Sequence, residues 1–417
     1  MTRRLGLDFG TSNTAAGVLR DGKPVLIEVE PGRHTLPTSV FYDAYETEVL
    51  FGSAANAALI EGREGLFMRA LKSVLGTSLM RETRWVGHAR RSLIEVVAGF
   101  LAEVKARAEA ATGEVFETAL SGRPVHFHSA DMARDAQAAR DLEECYHLAG
   151  FRDVQFLYEP EAAALGYGHL AEGRTGLIVD IGGGTSDFTV FRDGDTGMEI
   201  LASHGVRLGG TNFDKALSLR LVMPLLGQGS EIRHVFGADT HIAPNAIFQD
   251  LATWEKIPFL YTAAVRRDVA DLLKLAVEPA RIGRLASVLE HELGHDLAFA
   301  VEHAKIAVNA GDAVEIQLDM VEPELGAAMG LSDLQMALGP YAAEISTAAS
   351  AALEMAGVTA GQVDVVVLVG GSSLMQVVEQ ALQRLCPGAE MARGDAFTAI
   401  ADGLAIAADQ MPDLHRV

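Results

Sequence analysis

Two short stretches of this chain follow one pattern, and that repeat constrains the fold more than any other feature. Leu7-Asp-Phe-Gly-Thr-Ser12 and Val179-Asp-Ile-Gly-Gly-Gly-Thr-Ser186 both run apolar, Asp, apolar, Gly and close on Thr-Ser. Each stands between two strand-like segments, 5–8 and 15–19 in the first case, 176–181 and 188–191 in the second. A strand–loop–strand unit that occurs twice implies a duplicated architecture, with two related lobes facing across a cleft.

The rest of the pattern alternates strands with helices, an α/β reading. Residues 4–28 read as a β-meander with Asp21-Gly22 at a hairpin turn. Further strands are expected at 38–42, 49–51, 118–121, 155–158, 314–318 and 363–369. Helical periodicity covers 53–75, 92–111, 130–149, 161–171, 211–224, 262–276, 281–310, 331–356 and 395–409. The stretch 226–260 is the least regular and reads as an insertion.

A glycine turn between strands lets backbone N–H groups converge on an oxyanion, since no Cβ blocks the approach. Thr11, Ser12 and Thr185 add hydroxyl donors. Asp8, Asp180 and Asp187 at the strand ends would repel phosphates unless a divalent cation lay between them. Hydrated Mg²⁺, which keeps several waters and takes few direct carboxylates, suits that arrangement.

Composition narrows the partners. The net charge of −22, from 34 basic and 56 acidic residues, argues against binding a nucleic-acid backbone, which needs a basic face. Cys145 and Cys386 are the only cysteines and imply no disulfide framework. The start, MTRRLGLDFG, lacks the apolar core of a signal peptide. No apolar run approaches the roughly 18 residues of a membrane helix. The expected location is cytoplasmic, with no membrane partner.

Five motifs in order resemble the ATPase domain of the seventy-kilodalton heat-shock chaperones (the DnaK family) within the actin and sugar-kinase superfamily. They are Gly6-Leu-Asp-Phe-Gly-Thr-Ser-Asn13, Tyr158-Glu-Pro-Glu-Ala-Ala-Ala-Leu-Gly-Tyr167, Asp180-Ile-Gly-Gly-Gly-Thr-Ser-Asp187, Arg207-Leu-Gly-Gly-Thr-Asn-Phe-Asp214 and Leu368-Val-Gly-Gly-Ser-Ser373. Length and ending look most like the short bacterial YegD-type members. The resemblance implies an actin-like ATPase fold of duplicated ribonuclease-H-like domains, two lobes around a nucleotide cleft. Lobe I would take 1–170 plus 393–417, with a peripheral subdomain about 36–112. Lobe II would take 171–392, with a peripheral subdomain about 213–312.

The same resemblance implies ATP or ADP with Mg²⁺ as ligands and assigns roles. Asp8 and Asp180 would hold Mg²⁺ through water. Gly10, Thr11, Ser12, Asn13, Gly182, Gly183, Gly184 and Thr185 would contact phosphates. Lys72 matches the family's catalytic lysine, and Glu159 and Asp187 would orient the attacking water, with Thr185 beside them. Gly209, Gly210, Glu302, Lys305, Asn309, Gly370, Gly371, Ser372, Leu374 and Asp395 would surround the nucleoside. Ile306 and Leu374 stand where the family carries two arginines that sandwich the base, so a weaker apolar clamp is expected.

His291-Glu-Leu-Gly-His295 fits H-E-x-x-H, which on one helix would align two imidazoles for zinc. The extended metzincin continuation is absent, and solvated histidines on a helix face are the plainer expectation. His126 and His128 fall on alternating positions expected to be a strand. Only seven residues follow Gln410, so no substrate-binding domain is expected within the chain. The expected function is a weak Mg-ATPase acting as a chaperone-like or regulatory nucleotide switch on an unknown protein partner or client. A small-molecule kinase of the same superfamily, or a nucleotide binder with little turnover, are the alternatives.

Overall fold

The computed structural model describes residues 4–168, 173–194, 197–234, 239–394 and 398–410. The chain divides into two units, residues 1–210 with 342–417, and residues 211–341.

The first unit contains two sheets with one topology. In the first, Arg4–Phe9, Asn13–Arg20 and Lys23–Leu26 form an antiparallel meander. Thr118–Arg123 then joins the other side of Arg4–Phe9 in parallel, and Asp153–Tyr158 lies parallel beyond it. In the second, Thr175–Ile181, Ser186–Gly194 and Gly197–Val206 make the meander. Val365–Val369 and Glu390–Arg393 add in parallel on the far side. The duplication visible in the glycine loops therefore extends to five strands of each sheet, as the actin-like ATPase fold requires; Thr35–Pro37, a sixth strand beside Asn13–Arg20, is particular to the first. Sequence reading missed Gly197–Val206 and Glu390–Arg393, the two outer strands of the second sheet.

One helix serves each sheet. Glu159–Tyr167 packs on the second and Ala399–Gln410 on the first, and the two helices press on each other. Their contact is made of small residues, which lets backbones approach closely. A Cβ added at Gly403 would stand 1.7 Å from Ala162 O, and one at Gly166 would stand 2.1 Å from Ala399 O. Ala162, Ala163, Ala164, Ile178, Val367, Phe191, Leu404 and Leu120 join in one core that draws on both sheets.

Several segments differ from the periodicity. The expected helix 53–75 ends at Ile60. Gly62 at φ 68° turns the chain, the strand Gly65–Arg69 pairs with Ser39–Asp43, and a 3₁₀ turn Leu71–Val74 carries Lys72. The expected strand through His126 and His128 stops at Arg123, because Pro124 cannot donate to the ladder.

The second unit holds the helices Ala263–Leu275, Pro279–Glu290 and Gly294–Ala310 and two hairpins, Glu231–Arg233 with Thr240–Ile242 and Val314–Gln317 with Gly326–Met329. The irregular stretch 226–260 thus has a hairpin, a short helix Ala246–Leu251 and a 3₁₀ segment Trp254–Phe259. The expected continuous helix 281–310 is broken at 291–293, where Glu292 adopts φ 57°. Tyr261 accounts for the break: its hydroxyl donates to Glu292 O (2.9 Å) and accepts from Gly294 N (3.0 Å). Backbone groups that a continuous helix would have paired are thereby satisfied. No helix among the described residues is long and apolar enough to cross a membrane.

Gly403→Ala would insert a methyl into the backbone contact with Ala162. Overpacking of this kind costs about 1–3 kcal/mol, so the midpoint of denaturant unfolding is expected to fall with little change in slope. A midpoint equal to that of the parent chain would show that the two helices separate freely.

Candidate functional site

Both glycine loops lie at the ends of central strands in the first unit. The second is a tight hairpin closed by Gly182 N donating to Thr185 O at 3.0 Å. It stands against the first: a Cβ at Gly183 would meet Ser12 Oγ at 2.6 Å, and one at Gly184 would meet Thr11 Oγ1 at 3.0 Å. Two further glycine segments converge here. Gly210 N donates to Gly182 O at 3.0 Å, and a Cβ at Gly210 would fall 2.4 Å from Ser372 Oγ. Gly370, at φ 77°, passes so close to Asp180 that a Cβ would lie 2.7 Å from its Oδ1. Gly10, Thr11, Ser12, Asn13, Gly182, Gly183, Gly184, Thr185, Gly209, Gly210, Gly370, Gly371 and Ser372 are thus drawn from loops that approach one another within one unit.

Beneath the loops lies a concentration of buried charge. Asp8, Asp180 and Asp187 are 8%, 3% and 1% exposed. Asp180 and Asp187 are direct cross-strand partners, an arrangement that like charges disfavour. Lys72 Nζ donates to Glu159 Oε1 in a buried ion pair. Asp187 Oδ1 accepts from Val125 N at 2.7 Å. Its Oδ2 is buried and makes no hydrogen bond of ordinary geometry among the described residues.

Four carboxylates therefore surround one lysine. Burial, reinforced by Glu159 and opposed by Lys72, raises the Asp8 pKa to about 7. Burial and Glu159 raise Asp187 to about 8, against the pull of the Val125 amide, the nearby Thr185 hydroxyl and Lys72. Asp180 is pushed well above the usual carboxylate range by burial, then by Glu159, Asp187 and Asp8. Lys72 shows the reverse balance: burial favours its neutral form, but Glu159 and Asp8 outweigh that and raise its pKa. The donor set fits a divalent cation, which would offset the charge of these carboxylates.

Among the described residues no three His, Cys, Asp or Glu side chains come together to ligate one ion directly. The geometry does not suit zinc at His291-Glu-Leu-Gly-His295. His291 caps the end of one helix, where its Nδ1 donates to Ser287 O at 3.0 Å, while His295 is buried on the next helix. The break between them removes the single-helix register that H-E-x-x-H chemistry needs.

Three of the other expected nucleoside residues are in the second unit. Glu302, Lys305 and Asn309 share a face of the helix Gly294–Ala310. Lys305 is buried and donates to Asp214 Oδ1 at 2.6 Å, while Trp254 Nε1 donates to Asp214 Oδ2 at 3.1 Å. Burial raises the Asp214 pKa, Lys305 lowers it, and Glu302 raises it. Sequence reading quoted Asp214 within a motif but did not pair it with Lys305; the two are 91 positions apart. Ile306 is 57% exposed. Leu374, in the first unit, ends the 3₁₀ turn Gly371–Leu374 and is half-buried. Asp395 lies outside the described residues.

A sequence model of the family described as Hsp70 protein matches residues 4–84 and 80–225. The chain belongs to the Hsp70 family. The matched span takes in both repeat loops, Lys72, Glu159 and Gly209-Gly210, and it ends before Glu302 and Lys305. Hsp70 domains of this kind bind ATP and ADP, and this chain carries such a nucleotide-binding domain.

The raised carboxylate pKa values make a pH prediction for the metal-free protein. Asp8 and Asp187 hold protons more tightly folded than unfolded, where the ordinary value is 3.8. The stability they contribute is fully present below that value, declines as pH rises above it, and is wholly lost once pH passes about 7 for Asp8 and about 8 for Asp187. Thermal melts in chelator are expected to show the midpoint falling across that window. Asp187→Asn should flatten the fall, as should added Mg²⁺. A midpoint that rises through the window would contradict the charge reading.

Proposed function

We propose that this Hsp70-family chain is a slow, Mg²⁺-dependent ATPase. The observation that carries the reading is the cluster of Asp8, Asp180, Asp187 and Glu159 around Lys72, directly beneath two converging glycine loops. Backbone amides and hydroxyls of Gly10–Asn13 and Gly182–Thr185 (residues 10–13 and 182–185) orient the β- and γ-phosphates. Asp8 and Asp180 would hold the magnesium, and the ion when bound would neutralise charge on the phosphates.

Lys72, fixed by Glu159, stays protonated and stabilises charge on the transferring phosphoryl group. Water attacks the γ-phosphorus, the bond to the β–γ bridging oxygen breaks, and ADP and inorganic phosphate result. Asp187, whose buried Oδ2 lies beyond the Val125 amide's reach with the Thr185 hydroxyl nearby, orients that water and takes its proton. The high proton affinity of Asp187 suits a group that must accept near neutral pH. Nucleotide turnover then serves as a regulatory switch on a protein partner or a chaperone-like client. The acidic charge disfavours nucleic acid as that partner.

Lys72→Ala is expected to lower phosphate release from Mg-ATP by about 10²–10³-fold, the cost of one electrostatic donor. Unchanged turnover would remove this mechanism. A second reading, nucleotide binding with little turnover, is favoured by one observation: aliphatic Ile306 and Leu374 stand where arginines were expected to grip the base. Calorimetric titration with Mg-ATP separates the two, because binding without phosphate release would support the second.

A further inference from the structure

The turn that carries Lys72 has little internal support. Residues Leu71–Val74 form one 3₁₀ turn between two left-handed positions, Ala70 at φ 59° and Gly76 at φ 76°. Its local bonds are Ser73 N to Ala70 O (3.0 Å), Leu75 N to Lys72 O (3.3 Å) and, at its far end, Thr77 N and Oγ1 to Val74 O (3.1 and 2.6 Å). The carbonyls of Ser73 and Leu75 are taken by side chains from far along the chain. Arg207 Nη2 donates to Ser73 O at 2.7 Å, and His128 Nε2 lies 2.7 Å from Leu75 O. Gly76 N donates to Asp141 Oδ2 at 2.9 Å.

Arg207 and His128 also meet each other. Arg207 Nη1 lies 2.9 Å from His128 Nδ1. A guanidinium only donates, so Nδ1 accepts, and Nε2 carries the hydrogen that bonds Leu75 O. This arrangement requires a neutral imidazole. The geometry points to Arg207 and His128 as a proton-sensitive latch that positions Lys72 by holding the two carbonyls that follow it.

The groups facing His128 make the latch open in acid. Arg207 approaches from the loop after the strand Gly197–Val206. Arg134 and Asp135 approach from the helix Met132–Leu148. Asp135 Oδ1 accepts from His128 N at 3.1 Å. Asp135 is also shared with Arg123 at 3.6 Å and His126 at 3.7 Å, so its charge is spread over several neighbours. A proton on Nδ1 would remove the acceptor for Arg207 and set a second cation beside it. Burial, with Arg207 and Arg134, holds the His128 pKa below its ordinary value, while Leu75 O and Asp135 act the other way. The latch is closed at neutral pH and is lost as pH falls through that lowered pKa.

Arg207 acts through Ser73 and His128, so it is a positioning residue, and its kinetic consequence rests on the ATPase reading above. Two measurements on the full chain keep the two apart. Hydrogen exchange at amides 71–77 reads the latch without nucleotide. Arg207→Ala is expected to speed exchange there by about tenfold or more, since a hydrogen bond from a charged donor is lost. Phosphate release should fall by about tenfold with nucleotide affinity little changed, and Arg207→Lys should recover part of both. That variant also serves if the alanine form does not fold.

The parent chain should lose turnover, and exchange protection at 71–77, in acid, on the low side of the ordinary histidine range. His128→Asn, whose Oδ1 offers an acceptor in the place of Nδ1 but does not titrate, should lack this acid limb. Unchanged exchange in Arg207→Ala, or an acid limb that persists in His128→Asn, would overturn the latch. If the parent chain shows no turnover, the ATPase reading falls, and exchange with its pH dependence still decides the latch.

Discussion

The backbone contact between the helices Glu159–Tyr167 and Ala399–Gln410 is the constraint on which the first unit depends. Each helix covers one sheet, and the two sheets share a core only because Gly166 and Gly403 let the helices touch without intervening side chains. Glu159 is the first residue of one of these helices. Its position opposite Lys72 is therefore set by packing that occurs several residues further along. A methyl group at the helix contact would act on the charge cluster through the backbone, without touching it.

That cluster illustrates how folding and chemistry pull in different directions. Asp180 and Asp187 face each other across a ladder that also carries the apolar pairs Val179 with Phe188 and Leu177 with Val190. Replacing either carboxylate with a neutral residue would relieve repulsion and desolvation. The fold holds them despite that cost because the strands on which they sit are fixed by sheet pairing and burial along their whole length. Strain of this kind, concentrated at one place and supported by ordinary packing elsewhere, is typical of a functional site.

Features carried by local pattern were legible in the sequence. The repeated loops announced the duplication, and the β-branched run before Gly370 announced a central strand, because both signals lie within a few residues. The actin-like fold and family membership followed from motifs in order. Long-range pairings were not legible. Nothing near Lys305 names Asp214 as its partner, and nothing near Ser73 names Arg207. The helix break at 291–293 depends on Tyr261, some thirty positions earlier, so the periodicity of 281–310 read as uninterrupted. Lys72 is the clearest case: helical periodicity over 53–75 suggested a surface helix, whereas Gly62 and Gly76 allow a strand and a short turn that bury the lysine.

The difference between those two kinds of feature also explains where regulation can enter. A glycine loop is held by its own backbone and strand neighbours, so its shape is insensitive to small changes in the surroundings. The turn around Lys72 has few internal bonds and borrows others from Arg207, His128 and Asp141. A borrowed bond can be withdrawn when its donor moves or its acceptor gains a proton. The phosphate loops are thus built to persist, while the lysine that faces them is held on conditional terms, and in this chain one of those terms is the charge on a histidine.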